Sequence, residues 1–291
     1  MANSIREVKN RINSTKKTAQ ITKAMNMVSA SKLRGAERSI RQFRPFIDKV
    51  KEIIVNIASG EMNFIHPMME KREIKKTCYV VVSSDRGLAG AFNSSVLKEL
   101  TKIISTKNAN EYVVLPLGTK AYSYCKKMNY PLLVDKNIVL RDDVEFNEIS
   151  NITHKLVMTY LMKEIDCVEI IYNHYVNTLI QEVKSDTILP LDPKNYQEAN
   201  SDKLVEYEFD GGTQEILNTV LPIYIENYIY GLILDSKASE HAARMNSMKS
   251  ATDNAMDVIS SLELLYNRAR QSAITLELTD IVGGASVINE N

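Results

Sequence analysis

The first sixty residues carry apolar or small side chains at alternating steps of three and four. After Ile5 these positions are Val8, Ile12, Thr15, Ala19, Thr22, Asn26, Ser29, Leu33, Ala36, Ile40, Phe43, Ile47, Val50, Ile54 and Ile57. This spacing is typical of a coiled-coil seam and predicts one helix of roughly 80 Å at ~1.5 Å per residue. We expect a bend at Pro45 and an end at Gly60 and Pro67.

The predicted seam changes character along its length. Between Thr15 and Ser29 its residues are small and polar, whereas from Leu33 to Ile57 they are mostly large and aliphatic. Small residues let helices approach closely but bury little apolar area. We therefore expect the first of these stretches to draw its stability from an enclosing partner.

Between residues 75 and 190 the helical period gives way to short apolar runs that alternate with short helical patterns. The runs predict strands at Thr77–Ser84, Tyr112–Leu117, Val168–Tyr172 and Thr178–Val183, the last two forming a hairpin. The helical patterns cover Ser95–Lys107, Lys120–Met128 and Val144–Glu164. Such alternation predicts a Rossmann-like α/β domain with a largely parallel sheet.

The helical period returns from about Gly212 to Val282. Its stripe comprises Ala238, Ala242, Met245, Thr252, Ala255, Ile259, Leu262, Tyr266, Ala269, Ala273 and Leu276, and Gly283 and Gly284 are expected to end it. The predicted fold is a long antiparallel two-helix coiled coil, formed by the N- and C-terminal helices, with the α/β domain inserted between them. The predicted domains are 1–60 and 210–285 for the two coiled-coil helices and 75–200 for the α/β domain.

The distribution of charge says more about possible partners than the overall composition does. The net charge is zero, but thirteen basic and four acidic residues between Met1 and Ala58 give that segment a charge of +9. This asymmetry predicts a partner with an acidic surface. No signal peptide or bilayer-spanning run is expected, and the separated Cys78, Cys125 and Cys167 indicate neither a disulfide framework nor a zinc knuckle.

Motifs of enzymes and metal sites are weak in this sequence. Gly87-Leu88-Ala89-Gly90 follows a predicted strand but lacks the third glycine of a dinucleotide fingerprint and a Walker Lys-Ser/Thr, which favours a tight turn. Gly118-Thr119-Lys120 likewise favours a helix start. The four histidines are scattered, and the acidic residues Glu206, Glu208 and Asp210 favour a solvated surface over a cation site. We therefore expect no catalytic, cofactor or metal site.

Two other functions are compatible with these patterns. An α/β enzyme that binds a nucleotide would use the helices as arms for oligomerisation. A basic coiled coil could instead bind nucleic acid, although its bases are not interleaved with aromatic residues.

Several long motifs, in order along the chain, resemble the ATP synthase γ-subunit family. They are Ile21-Thr22-Lys23-Ala24-Met25-Asn26-Met27-Val28-Ser29-Ala30-Ser31-Lys32-Leu33-Arg34, Ser84-Asp85-Arg86-Gly87-Leu88-Ala89-Gly90-Ala91-Phe92-Asn93, Glu240-His241-Ala242-Ala243-Arg244-Met245, Asn267-Arg268-Ala269-Arg270-Gln271-Ser272-Ala273-Ile274-Thr275-Leu276-Glu277-Leu278 and Ile281-Val282-Gly283-Gly284-Ala285. The family often has Cys at the position of Ala89. The cysteine-bearing insert of chloroplast members is absent and no transit segment precedes the helix, which favours a bacterial member.

The resemblance implies a function and a set of partners. The protein would be the central rotor shaft of an F-type ATP synthase, coupling ion flow through the membrane sector to ATP synthesis or hydrolysis and regulating both. The coiled coil would turn inside a ring of three α and three β subunits, and the α/β domain would rest on the c ring beside ε. ATP chemistry would belong to the β subunits. The protein would be peripheral, at the cytoplasmic face of the cell membrane.

The resemblance also implies which residues contact these partners. Arg268, Arg270, Gln271, Thr275 and Glu277 would touch a catch region of β, Arg244 would touch the ring, and Lys23 and Met25 would lie near the same level on the opposing helix. Ile281 and Val282 would sit in an apolar bearing. Tyr207 and Glu208 would lie near the foot contacts with the c ring and ε.

Overall fold

The computed structural model describes residues 2–60, 66–142, 144–192 and 213–289. Two long helices, α1 (Ala2–Gly60) and α5 (Thr213–Asn289), enclose the other elements in sequence order. Those elements are β1 (Thr77–Val82), α2 (Phe92–Ile104), β2 (Tyr112–Leu117), α3 (Thr119–Lys127), α4 (Phe146–Leu161), β3 (Cys167–Tyr175) and β4 (Gln181–Leu189). The predicted order of long helix, α/β segment and long helix is confirmed.

The chain forms two compact units, each with its own packing. Unit 1 comprises Met1–Val28 and Met245–Asn291, and unit 2 comprises Ser29–Arg244. Both long helices contribute one part to each unit.

In unit 1 the two helices pair in antiparallel fashion. The Thr22 and Thr252 hydroxyls are 2.7 Å apart, and the Asn26 amide donates a 2.7 Å hydrogen bond to the carbonyl of Met245. The contact partner on α5 therefore moves back as α1 advances, which defines the antiparallel direction. A small apolar cluster of Ile12, Ala19, Ala255, Ile259 and Leu262 fills the seam.

The seam predicted on α1 is confirmed within each unit. Val8 to Asn26 in unit 1 and Ser29 to Val50 in unit 2 are buried or half-buried at every predicted position. The residues of the stripe predicted on α5 are buried or half-buried from Ala238 to Ala273. Met248, which the prediction did not include, is also buried.

The last predicted stripe residue, Leu276, is 44% exposed, which contradicts the prediction. Pairing of Thr22 with Thr252 sets the register in unit 1. With α1 beginning at Ala2, α5 residues beyond roughly Ala273 have no residue of α1 opposite them. Leu276 is exposed because its stripe continues past the end of the other helix.

Two helix-ending predictions had different outcomes. Helix α1 is described as far as Gly60 and continues through Pro45. Its end at Gly60 and Pro67 and the bend at Pro45 stay predictions. Helix α5 runs through Gly283 and Gly284 to Asn289, so the predicted stop is wrong. A glycine costs a helix interior only about 1 kcal/mol relative to alanine. Two glycines therefore weaken a long helix without having to end it.

Unit 2 contains a four-stranded sheet with the order β2-β1-β3-β4. Strand β1 pairs in parallel with β2 and β3, and β4 pairs antiparallel to β3 at one edge. The predicted α/β class and its largely parallel sheet are confirmed.

The predicted hairpin is present, but its second strand was placed too early. The Asn177 side-chain oxygen accepts 2.8 Å hydrogen bonds from the backbone N–H groups of Leu179 and Ile180, which makes residues 177–180 a turn. Strand β4 therefore begins at Gln181. After Val183 this edge strand continues with the polar run Lys184 to Thr187, which the apolar-run criterion passes over.

Helices cover both faces of this sheet. One face carries α2 and α3, whose Val96, Leu100 and Cys125 pack with Tyr79 and Val81 of β1. The other face carries α4 and the first part of α5 in the largest apolar cluster of the protein. Ile47, Val50 and Ile53 of α1 pack against that cluster, and a Cβ at Gly231 of α5 would lie 2.8 Å from the Ile47 side chain.

Candidate functional site

Helix α5 carries a row of buried charges where it lies against the rest of unit 2. Lys237, Glu240 and Arg244 are 3%, 3% and 8% exposed. The Glu240 carboxylate accepts from Lys237 Nζ at 2.9 Å and from Arg244 Nη2 at 2.8 Å. Spacings of three and four residues bring these side chains together on one face of the helix. Buried charges require such partners, because an isolated one would lose its hydration.

A second carboxylate joins this row to helix α1. Asp142, in the loop before α4, forms an ion pair with Lys32 of α1. Its Oδ1 lies 3.6 Å from Nε2 of His241 on α5. Lys237 Nζ also donates a 2.6 Å hydrogen bond to the carbonyl of Leu140 in the same loop. One short loop segment thus contacts both long helices within unit 2.

The glycine turn after β1 forms the third side of the arrangement. The Arg244 guanidinium donates long hydrogen bonds of 3.4 to 3.5 Å to the carbonyls of Gly87 and Arg86. The turn keeps its shape because the Ser84 hydroxyl donates to the Arg86 carbonyl at 2.6 Å, and Asn93 accepts from the Ser84 N–H at 2.9 Å. The predicted tight turn is confirmed, and its carbonyl oxygens face a cation.

We call Lys32, Asp142, Lys237, Glu240, His241 and Arg244 the charged cluster. Burial lowers the pKa of the His241 imidazole; Glu240 and Asp142 oppose this shift, and Lys237 and Arg244 reinforce it. Despite its own burial, the Asp142 carboxyl has a lowered pKa because it accepts from Lys32 and faces His241. With His241 neutral, three cations face two carboxylates, and backbone carbonyls solvate the surplus positive charge.

The charged cluster gathers three motifs that are far apart in sequence. Lys32 belongs to the first motif of the resemblance, Arg86 and Gly87 to the second, and Glu240 to Arg244 to the third. Its ion pairs and hydrogen bonds connect α1, α5 and the glycine turn. Asp142 and Lys237 were missed by the sequence analysis. Asp142 lies in a loop with no periodic pattern, and only its contacts reveal its role.

The start of α3 also differs from a phosphate-binding loop. Asp85 Oδ1 accepts hydrogen bonds from the backbone N–H and the hydroxyl of Thr119, both at 2.9 Å. The N–H that a phosphate would use at this helix end is therefore bonded to a carboxylate. A Cβ at Gly118 would lie 2.2 Å from the Ser83 carbonyl oxygen, so this glycine is required for close packing.

Other reactive groups in the described ranges are buried in structural positions. No group of three or more His, Cys, Asp or Glu residues there could hold a metal ion. Burial raises the pKa of the Cys125 and Cys167 thiols to about 12 and that of Cys78 still higher. These cysteines are protonated at neutral pH and packed in unit 2.

Most of the predicted partner contacts lie on exposed parts of α5, but on two opposite faces. Arg268, Gln271 and Thr275 line one shallow groove along the helix. Arg270 and Glu277 lie about 180° around the helix from that groove at ~100° per residue. All five are exposed. A single partner surface would therefore meet only one of these two sets on a straight helix.

Lys23 and Met25 are not at the level of that groove. Lys23 is exposed and lines a groove of about 760 Å³ in unit 1 together with Lys249, Thr252 and Asp253. Thr252 and Arg268 are separated by roughly 24 Å at ~1.5 Å per residue. The antiparallel register pairs residues near Lys23 with an earlier part of α5 than that groove. The contact of Lys23 and Met25 with a partner stays a prediction.

The remaining predicted contacts have different surroundings. Arg244 is engaged within the charged cluster, and its contact with a partner stays a prediction. Ile281 and Val282 are 63% and 66% exposed on α5, in the stretch that follows the last α5 residues paired with the start of α1. Tyr207 and Glu208 lie outside the described residues. Within the described ranges, no helix is both long and apolar enough to cross a membrane.

Paired terminal helices combined with an inserted, mostly parallel four-stranded α/β sheet define the structural class of this protein. A family model for ATP synthase matches residues 4–288, nearly the whole chain. The chain therefore belongs to the γ-subunit family of ATP synthase.

Solved structures with the same fold come from complexes of this kind. The chain is 28% identical to one in the central stalk and c-ring structure of Tetrahymena thermophila mitochondrial ATP synthase, with a TM-score of 0.58, covering 79% of this chain and 99% of that chain. A chain of the Euglena gracilis mitochondrial ATP synthase rotor is 18% identical, with a TM-score of 0.66 and coverages of 94% and 100%. A chain of the Euglena OSCP/F1/c-ring structure is 19% identical, with a TM-score of 0.69 and coverages of 99% and 95%.

Proposed function

We propose that this protein is the central rotor shaft of an F-type ATP synthase, coupling ion flow in the membrane sector to ATP synthesis or hydrolysis. The observation that carries the proposal is the antiparallel pairing of two terminal helices in a chain of this family. A packed helical pair is stiff. Stiffness is needed because moving one charge through 100 mV yields only about 2.3 kcal/mol, so several ion steps must be accumulated for each ATP.

A ring of α and β subunits is the proposed surrounding of unit 1. Large apolar residues are unusually exposed on its second helix, which is typical of a surface that a partner covers. They include Leu264, Leu265, Ile274, Leu276, Leu278, Ile281 and Val282. The excess of basic residues in the first part of α1 supports an acidic inner surface of that ring. ATP chemistry is proposed to belong to the β subunits, with no catalytic group in this chain.

The charged cluster suggests how torque would pass through unit 2. Asp142 contacts Lys32 of α1 and His241 of α5, and Arg244 of α5 donates to the carbonyls of the glycine turn. Glu240 holds the Arg244 side chain in place from within α5. The cluster therefore resists slippage of α5 against α1 and the sheet within unit 2, whereas exposed contacts on α5 can break and reform as the shaft turns.

The proposals about individual partner subunits rest on the family resemblance. The c ring and ε are proposed to contact the α/β domain near Tyr207 and Glu208. We further propose a bacterial enzyme, with this chain peripheral at the cytoplasmic face of the membrane. The domain boundaries at 1–60, 75–200 and 210–285 belong to the same proposal.

Co-purification tests the proposal directly. A tagged chain expressed with α and β subunits should be recovered in a stoichiometric complex with three copies of each. The control is a chain that ends at Arg244 and so lacks the α5 part of unit 1. This chain should no longer stimulate the ATPase activity of the α and β subunits. Saturable ATP or NAD binding by the isolated chain, or salt-dependent binding of duplex DNA, would instead favour the enzyme or nucleic-acid alternatives.

The proposed contacts with the catch region of β lie on two faces of α5, and each face can be tested by its own variant. Arg268→Ala/Gln271→Ala removes contacts on the groove face, and Arg270→Ala/Glu277→Ala removes contacts on the opposite face. All four side chains are exposed, so both variants should fold. If these residues form the catch, at least one double variant should lower coupled ATP synthesis by about tenfold. Unchanged synthesis and hydrolysis in both would remove the assignment.

A further inference from the structure

Helices α2 and α3, which lie on the sheet face opposite α4 and α5, form an open groove. The groove has a volume of about 780 Å³. Its floor is formed by Leu97, Thr101 and Tyr124, and the hydroxyls of Thr101 and Tyr124 are 2.8 Å apart, tying the two helices together. The floor is therefore fixed and mostly apolar.

Lysines occupy both walls of this groove. Lys98 and Lys102 lie one turn apart on α2, and Lys120 and Lys127 lie two turns apart on α3. All four are exposed, and no carboxylate side chain lines the groove, whose residues are all described. Lys102 pairs with Glu99 at 3.2 Å. Across the described ranges the other three lysines form no ion pair.

We propose that this groove binds an acidic amphipathic helix of a partner protein. An apolar stripe of the incoming helix would lie over Leu97 and the Tyr124 ring, and carboxylates on both of its flanks would meet the lysines. The 13 residues of α2 span roughly 20 Å. That length matches three to four turns of a bound helix, the usual scale of recognition in a helical groove.

The shape of the surface favours a helix over other acidic partners. A flat bilayer would meet the lysine ammonium groups but leave the recessed floor uncovered. A nucleic acid would neutralise the lysines without needing an apolar stripe. Only an amphipathic helix uses the floor and both walls together.

The test uses the full chain and a synthetic peptide probe. The peptide is a capped helix of about 18 residues, made of Ala, Leu and Glu with leucines on one face and glutamates beside them. We expect saturable binding by fluorescence anisotropy that weakens as salt rises. A peptide of identical composition with scrambled order should bind at least about tenfold more weakly.

Two matched variants distinguish peptide binding in the groove from a general effect of the positive charge of unit 2. Lys98→Gln/Lys102→Gln/Lys120→Gln/Lys127→Gln should weaken binding at least about tenfold. The control Lys136→Gln/Lys155→Gln/Lys163→Gln/Lys184→Gln removes the same charge from exposed sites in unit 2. It should change binding less than about twofold.

Several results would overturn the proposal. They are the absence of saturable peptide binding, equal binding of the scrambled peptide, or equal losses in the two quadruple variants. Tighter binding of phosphatidylserine vesicles or duplex DNA than of the peptide would assign the groove to a different partner. Because this assay needs no α or β subunit, its outcome is independent of the proposed rotor function.

Discussion

The two units hold their long helices together by different means. In unit 1 the seam contains small and polar residues, with a cluster of five buried apolar side chains and direct side-chain hydrogen bonds. In unit 2 the same two helices belong to the main apolar cluster and share the charged cluster. We therefore expect unit 2 to be more stable by itself than unit 1, which depends more on what surrounds it.

The largest expected difference concerns ion pairs. Glu240→Ala leaves the buried Lys237 and Arg244 without their shared carboxylate and should destabilise unit 2 by about 3–5 kcal/mol. Glu263→Ala in unit 1 breaks an exposed pair with Lys16 and should cost about 0–1 kcal/mol. Urea titration with hydrogen exchange, read separately for peptides of each unit, measures both. Equal losses would contradict the contrast between the units.

Core truncation should show the second largest difference. Ile225 is fully buried in the main cluster, and Ile225→Ala should cost about 2–5 kcal/mol. Ile259 is 7% exposed in the small cluster of unit 1. Fewer neighbours surround its cavity, so Ile259→Ala should cost no more than about 2 kcal/mol. The same titration compares them, and a larger loss for Ile259→Ala would mean that unit 1 has a stronger core than its seam indicates.

Acid pH should affect unit 2 through His241. Burial, reinforced by Lys237 and Arg244, lowers its pKa below the ordinary 6.5, although Glu240 and Asp142 oppose the shift. As pH falls through 6.5 the unfolded chain gains a proton that the folded chain does not bind, so stability falls. His241→Gln should flatten the decline in the unfolding midpoint between about pH 7.5 and about pH 5.5.

Two other histidines serve as references for that measurement. Burial also lowers the pKa of His66, so part of the decline should persist in His241→Gln and diminish further in the double variant with His66→Gln. His154 is exposed, and His154→Gln serves as the control for the substitution itself, with an expected change in stability within about 0.5 kcal/mol. A slope that His241→Gln does not alter would show that protonation of this residue is not coupled to folding.

The sequence predicted periodic features better than contacts made by single residues. The seam from Val8 to Val50 and the parallel strands follow from side-chain period, which is a local property. The exposure of Leu276 depends on where α1 begins, and the turn at Asn177 depends on one side chain competing for backbone groups. The charged cluster was least predictable, because Lys32, Asp142 and Lys237 have no shared spacing and meet only through the tertiary fold.

The smallest expected effect concerns the polar seam of unit 1. The Thr22 and Thr252 hydroxyls also contact the carbonyls of Ala19 and Met248 in their own helices. Each single Thr→Val change should cost about 0.5–1.5 kcal/mol because it removes one partner, whereas the double change should be nearly neutral. A double variant that is stable by urea titration but impaired in coupled ATP synthesis would show that this polar pair matters for the working shaft and not for folding. A double variant costing more than the sum of the single changes would instead make the pair a main support of unit 1, and the contrast drawn between the two units would fail.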